Sequence, residues 1–241
     1  MTTRLRFALL NAAHEGANTR RNFRRELDAD LVEFDATGGQ LPEGFGFDGV
    51  VVTGSRSSVY WDEEWIPPLV DYVGEAAERG LPVLGVCYGH QVLAEALGGR
   101  VAGMDAFELG YSEIEHRGDD ELFAGIDEEF TAFTSHGDAV VELPPGAELL
   151  AENEFGVHAF RKGHCWGLQF HPEYDIETAE RVADGKRERL DDARVDEVLA
   201  GITAEKHEAA CEAKQVFGNF TGYVRELTAD RADGEPAAAD D

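Results

Sequence analysis

The sequence predicts an α/β fold: a doubly wound, mostly parallel sheet with an antiparallel addition and C-terminal helices. Three observations point there. In the first hundred or so residues, short apolar runs alternate with amphipathic stretches, the pattern of successive βαβ units. One run, residues 81–86, passes through Gly85-Val86-Cys87-Tyr88-Gly89 directly into an apolar helical pattern. A strand–turn–helix of that kind lies at the carboxyl edge of a parallel sheet, where ligands bind. From Gly99 onward the apolar runs shorten and return every few residues, which suits antiparallel strands.

The elements follow in order. Residues 5–10 are a buried strand, 11–17 a polar connection, 18–27 an Arg-rich helix and 30–34 a second strand. Residues 36–47 are Gly-rich and contain Pro42, so they read as a loop. The third strand is 49–52. A helix over 65–79 carries Pro67 and Pro68 in its first turn and stops at Gly80. Strand 81–86 precedes a helix over 91–97, closed by Gly98 and Gly99. Strands at 108–115, 129–134, 148–152, 157–160 and 166–170 form the antiparallel addition, packed on the parallel sheet. Residues 176–199 and 204–227 read as two long helices with Gly201 between them. In the first, Ile176, Ala179, Val182 and Ala183 recur at helical spacing. In the second, Val216, Phe217, Phe220, Tyr223, Val224 and Leu227 share one face. Such a face must be buried, so residues 1–228 are expected to form a single domain. Residues 229–241 are acidic and rich in Ala, and read as a disordered tail.

Composition narrows the classes. Of 241 residues, 43% are hydrophobic, which is ample for a core. No apolar run reaches the roughly 18 residues of a membrane span. Residues 1–4 lead straight into a strand, so no signal peptide is expected. Cys87, Cys165 and Cys211 are too far apart for a disulfide framework or a metal cluster, and a free thiol suits a cytoplasmic location. The formal net charge is −28, from 49 acidic and 21 basic residues. Clear hydrophobic periodicity separates this chain from disordered acidic proteins. The excess reads as a halophilic, heavily solvated surface, and it argues against nucleic-acid binding, which needs a basic patch.

Two segments carry chemistry. Cys87 sits between Gly85 and Gly89, the thiol counterpart of the Gly-x-Ser-x-Gly nucleophile elbow. The turn lifts the sulfur clear of the sheet, and the helix behind it points its positive end at the thiolate. A thiolate needs a base, and the base needs an orienting group. His171-Pro172-Glu173 ends a strand pattern. Its His and Glu, two residues apart on extended chain, project to the same side. His171 is thus the expected base and Glu173 its orienting carboxylate.

These segments resemble the class I glutamine amidotransferases, the Cys-His-Glu family. The matching blocks are residues 85–91 (GVCYGHQ), 167–173 (GLQFHPE) and 134–146, where Ser135-His136-Gly137-Asp138 is similar to the glutaminase domain of GMP synthases. A fourth block, residues 51–58, stands where the family has a Ser-Gly-Gly-Pro-x-Ser loop. Together they cover residues 4–173 in family order. The resemblance implies a flavodoxin-like fold and a Cys87 nucleophile that attacks the glutamine amide and releases ammonia through a thioester. It places backbone N–H groups of Tyr88, Gly54 and Ser55 in the oxyanion hole. It places Gln91, Ser135 and His136 around the glutamine. It implies no cofactor, and a synthetase on a separate chain as partner, because no Ser-Gly-Gly-x-Asp-Ser loop occurs here. Two departures stand out: Ser55 and Arg56 replace the family's Gly and Pro, and the chain runs on well past Glu173. Arg56 offers a contact for a substrate carboxylate, so γ-glutamyl peptide hydrolysis by the same triad is the alternative enzyme reading. A non-catalytic regulatory subunit is the third, and the intact Cys87, His171 and Glu173 speak against it.

Other polar residues read as structural. His14 falls in a polar loop and His90 faces a helix. His136, His158 and His164, taken with Asp138, lack the spacing of metal ligands, so no metal is expected. Tyr60, Trp61 and Trp65 fit either a substrate lid or anchors for the following helix.

Overall fold

A computed structural model describes residues 4–14 and 16–234. Nine strands form one sheet in the order β2-β1-β3-β4-β9-β8-β7-β5-β6. Strands β1 (Arg6–Asn11), β2 (Asp30–Asp35), β3 (Gly49–Val52) and β4 (Val83–Val86) are parallel, and β9 (Cys165–Leu168) joins β4 in parallel. The order reverses at β1, which has β2 on one side and β3 on the other. Helices α1 (Gly16–Glu26), α2 (Ile66–Glu78) and α3 (Tyr88–Ala96) cover both faces.

Alternation along the central strands decides which side chain goes to which face. Phe7 and Leu9 of β1, Val51 of β3, and Leu84 and Val86 of β4 pack with Phe23 of α1. Ala8 and Leu10, Val50 and Val52, and Val83 pack on the other face with Leu69 and Val73 of α2 and Val92 of α3. Both faces are apolar because both are covered, as a parallel sheet requires.

The antiparallel strands are β5 (Arg100–His116), β6 (Glu129–Glu142), β7 (Glu148–Asn153) and β8 (Gly156–Lys162). They do not pack on the parallel sheet as expected. They extend it edge to edge through the β8–β9 ladder. β5 and β6 are also far longer than their sequence pattern suggested. A register shift between Gly103 and Glu108 interrupts the alternation of β5. In β6 the polar run Ser135 to Asp138 is buried and pairs with β5, so the strand continues past residue 134.

The two long C-terminal helices are each broken. Gly185 closes α4 (Ile176–Asp184), and α5 (Asp192–Gly201) begins after a turn, with Gly201 as its last residue. Arg187 braces that turn through Asp184, Asp192 and Asp196 at 2.7, 3.2 and 2.7 Å. A 3-10 turn, Glu212–Lys214, separates α6 (Ala204–Ala210) from α7 (Gln215–Gly234). α7 packs Val216, Phe217, Phe220 and Val224 on the α1 face of the sheet. Ala179, Ala183 and Val198 of α4 and α5 pack on Leu109 and Phe133 of β5 and β6. Because α7 reaches Gly234, residues 229–234 are helix where a disordered tail was expected, and residues 235–241 lie outside the described range. No described helix is long and apolar enough to cross a membrane.

His90 gives this core a pH dependence. It is fully buried on α3 against Phe160, with ring centroids 5.0 Å apart. Burial pushes its pKa down to about 3; the Gly167 backbone acts weakly the other way. The unfolded chain therefore binds the proton first, and stability falls as pH drops below about 6.5. Between pH 6.5 and 5 this one residue is expected to cost about 2 kcal/mol. Urea midpoints across that range check it: His90→Leu should show a shallower acid limb than wild type, and parallel limbs would refute the assignment.

Candidate active site

Cys87 ends β4 and precedes the first residue of α3. Its φ of 54° and ψ of −103° make it the one non-glycine residue with positive φ among the described residues. Such strain persists only where the surroundings over-determine it. Here the two glycines do. A Cβ on Gly85 would stand 2.2 Å from the Gly89 carbonyl oxygen, and one on Gly89 would stand 2.3 Å from that of Val52. The backbone N–H of Cys87 donates to Leu168 O at 2.6 Å, which ties the elbow to β9. The sulfur lies at the N-terminus of α3, where helix dipole and free N–H groups favour negative charge.

β9 continues the same ladder toward the second half of the site. Gln169 N donates to His158 O, and His171 N donates to Phe133 O, each at 2.8 Å. The side chains of His171 and Glu173 then meet, with Nδ1 2.9 Å from Oε1, and both residues are at most 5% exposed. Burial alone would lower the imidazole pKa. The Cys87 sulfur and the Glu173 carboxylate outweigh it and raise the pKa above the ordinary histidine value. Arg25 clamps the segment by donating to Glu173 O at 2.6 Å and to Asp175 Oδ2 at 2.9 Å. Tyr174 stacks on His171 with centroids 4.1 Å apart and planes 16° from parallel. Tyr174 and Arg25 were not among the sequence candidates; an aromatic residue directly after His-Pro-Glu was the available signal.

The loop after β3 passes over the sulfur. A Cβ on Gly54 would lie 3.0 Å from His171 Cε1 and 3.9 Å from Cys87 Sγ, so the site leaves room there for backbone alone. Ser55 does not adopt a positive φ, so replacing the family's glycine brings no left-handed strain. Ser58 Oγ and Tyr60 Oη donate to the two carboxylate oxygens of Asp138 at 2.6 and 2.7 Å, anchoring the loop on β6. Asp138 is therefore a brace for this loop. His14 supports it as well, with Nε2 2.9 Å from Ser57 Oγ. Trp65 packs on Tyr88 at the start of α2, whereas Trp61 is exposed.

The remaining candidates converge on the same recess. Tyr88, Gln91, Ser135, His136, Ser55 and Arg56 all line a small pocket with Cys87. Gln91 Nε2 donates to Asp138 O and to Gln169 Oε1 at 3.3 and 3.2 Å. Ser135 Oγ is buried and has no partner. His136 lines the pocket with its nitrogens already engaged: Nε2 sits 2.6 Å from Glu108 Oε2 and Nδ1 3.0 Å from Asp138 O. His158 Nε2 lies 3.2 Å from the same Glu108 oxygen, and Asn153 donates to the other at 2.8 Å. Glu108, His136 and His158 thus bring donor atoms within 4.8 Å of one another, a grouping with the composition of a metal site. Burial works against the Glu108 charge, but bonds from both histidines overcome it and hold the carboxyl ionised below its usual range. Neither His164, bonded to Tyr223, nor Asp138 belongs to this group.

Comparison with known proteins agrees with this architecture. Residues 16–183 match the family described as "Glutamine amidotransferase class-I". GMP synthase [glutamine-hydrolyzing] of Thermomicrobium roseum is 41% identical over 155 residues, covering 62% of this chain and 28% of that protein. The Azoarcus protein of the same name is 39% identical over 136 residues, covering 52% and 25%. The chain thus spans about a quarter of the length of these relatives. Among solved structures, a glutamine amidotransferase from Thermotoga maritima has a TM-score of 0.77 at 23% identity, covering 91% of this chain and 99% of that one. A putative GMP synthase subunit from Thermoplasma acidophilum has a TM-score of 0.69 at 19% identity, covering 96% and 100%. At these identities the structures speak for the fold, and the matched family residues speak for descent: the chain belongs to the class I glutamine amidotransferases, a family of enzymes.

Proposed function

We propose that the chain hydrolyses the side-chain amide of glutamine through a thioester on Cys87, giving glutamate and ammonia. The observation that carries this is the strained Cys87 elbow facing a His171 whose pKa is raised, with Glu173 bonded behind it. In this reading His171 takes the proton of the Cys87 thiol. The sulfur attacks the amide carbon, and backbone N–H groups of Tyr88 and of the Gly54–Ser55 loop receive the oxyanion. His171 then protonates the leaving nitrogen, and ammonia departs. Water attacks the thioester with His171 as base, and glutamate is released. Ammonia transfer to a synthetase, for GMP synthesis, is supported by the names of the relatives. A second reading uses the same triad on γ-glutamyl peptides, with an amino acid as leaving group. Arg56 at the rim of the pocket favours it. Incubating the pure protein in molar salt with glutamine and with γ-glutamyl dipeptides, then analysing products, tests both. No glutamate from either would refute the thioester reading.

The acidic surface belongs to the same proposal, as adaptation to a salt-rich interior. Self-repulsion among carboxylates opposes the compact state, and salt screens it. With a net charge of −28, the melting temperature is expected to climb steeply from low to molar salt. A flat curve would refute the adaptation.

A further inference from the structure

The recess that holds Cys87 shares Ser55, Arg56, Ser135 and Lys186 with a larger cleft of about 260 Å³. His171, Glu173, Gly54 and Ser135 line it, so it reaches the imidazole that faces Cys87, while the sulfur itself lines only the recess. Its outer wall is α4 and the turn after it, with Arg181, Gly185 and Lys186. An ammonia molecule does not need such a space: by the same measure a water-sized molecule occupies roughly 10–15 Å³.

The charges around the opening share one sign. Arg56 and Lys186 line both the cleft and the recess, and Arg189 lines the recess. Among the described residues, none of the three has a carboxylate partner within 4.0 Å, whereas Arg181 pairs with Glu177 at 2.9 Å and Arg187, in the same turn, holds three aspartates. Lys186 and Arg189 lie instead over the Phe107 ring, 5.2 and 4.9 Å from its centroid. Burial lowers the Lys186 pKa, the Cys87 sulfur opposes that shift, and Arg189 and Arg56 add to it. In a chain with 49 acidic residues against 21 basic ones, three cations at one opening with no carboxylate partner among the described residues favour an anion there. A second sign of a missing ligand is Ser135 Oγ, which belongs to both spaces, is 8% exposed as a residue and has no hydrogen-bond partner.

We propose that the cleft is a leaving-group subsite, in which Arg56 and Lys186 receive a carboxylate on the amine that departs from Cys87, so that the substrate class is γ-glutamyl amino acids or peptides. The inference rests on the thioester reading above. The Cys87 sulfur bonds to the γ-carbonyl carbon, the carbon–nitrogen bond breaks, and His171 gives its proton to the nitrogen. The departing amino acid then leaves through the cleft, and water releases glutamate from the sulfur. With α4 and its turn walling the cleft, the space beside His171 is furnished by this chain itself.

The test uses a matched pair of substrates on the full chain in molar salt: γ-glutamyl-β-alanine and γ-glutamyl propylamide, which differ in one carboxylate. The expected kcat/KM is at least about tenfold higher for the carboxylated compound, the worth of one charge-assisted bond. In Arg56→Gln and Lys186→Met, alone and combined, that ratio should fall toward one, mainly through KM for the carboxylated compound. A wild-type ratio of one or less overturns the subsite without recourse to any variant. Equal ratios in wild type and folded variants overturn it as well. Cleavage of glutamine with neither amide cleaved overturns the subsite and leaves the thioester reading standing. No cleavage of any of the three overturns both.

Discussion

Cys87→Ala is expected to lower turnover by at least about 10⁴-fold, to the level of the protein without a nucleophile. In the proposed mechanism the sulfur is the attacking atom. His171→Ala should come close to that loss, because in the proposed mechanism the same ring protonates the leaving nitrogen and later activates water. Glu173→Gln should cost less, since it weakens the orientation and charge of His171 without removing the proton carrier. The three act as a unit, so the double variant Cys87→Ala with His171→Ala should be little worse than Cys87→Ala alone. Steady-state glutamate release, with a covalent adduct sought by intact-mass analysis after acid quench, checks the series. Turnover by pure Cys87→Ala at more than a few per cent of wild type would remove Cys87 from the mechanism.

Gly89→Ala is expected to destabilise the fold by at least about 3 kcal/mol. Its new methyl would stand 2.3 Å from Val52 O and 2.9 Å from Val52 Cβ, on a central strand with no room to move. Gly85→Ala should behave alike, since its methyl would meet the Gly89 carbonyl oxygen at 2.2 Å. Relief requires the elbow to shift, and Cys87 would then leave its positive φ. Each variant should therefore lose activity even in whatever fraction stays folded. Denaturant midpoints paired with activity per folded molecule give the readout. A variant as stable as wild type would mean the helix can move away from β3.

Both predictions concern a segment that could be read without tertiary information. Gly85 to Gly89 announce the elbow because the strain, the close approaches and the helix start all fall within five residues. His171 and Glu173 were legible for a similar reason: two residues on extended chain share a side, and here they meet at 2.9 Å. Glu108 was not legible. It lies beyond a register shift in β5, and it faces His136 and His158 from two other strands. Asp138 was visible as a motif residue, but its task of holding Ser58 and Tyr60 depends on a contact 78 to 80 positions away. The long C-terminal helices failed at Gly185 and near Cys211 because the apolar spacing continues across breaks that short turns accommodate.

Local spacing was enough to specify the parallel core, the cysteine elbow and the histidine–glutamate pair. Unbroken apolar runs mark strands covered on both faces, glycines mark a strained turn, and two residues on one edge mark a histidine–carboxylate pair. Three outcomes needed the assembled sheet: the antiparallel strands extend it through β9, His136 spends both nitrogens inside the protein, and Lys186 and Arg189 stand over the pocket of Cys87. Those outcomes depend on which faces find each other once every strand is in place. Lys186 lies 99 residues from Cys87, and no periodicity spans that distance; the packing of Ala179, Ala183 and Val198 on Leu109 and Phe133 sets where the turn between α4 and α5 falls.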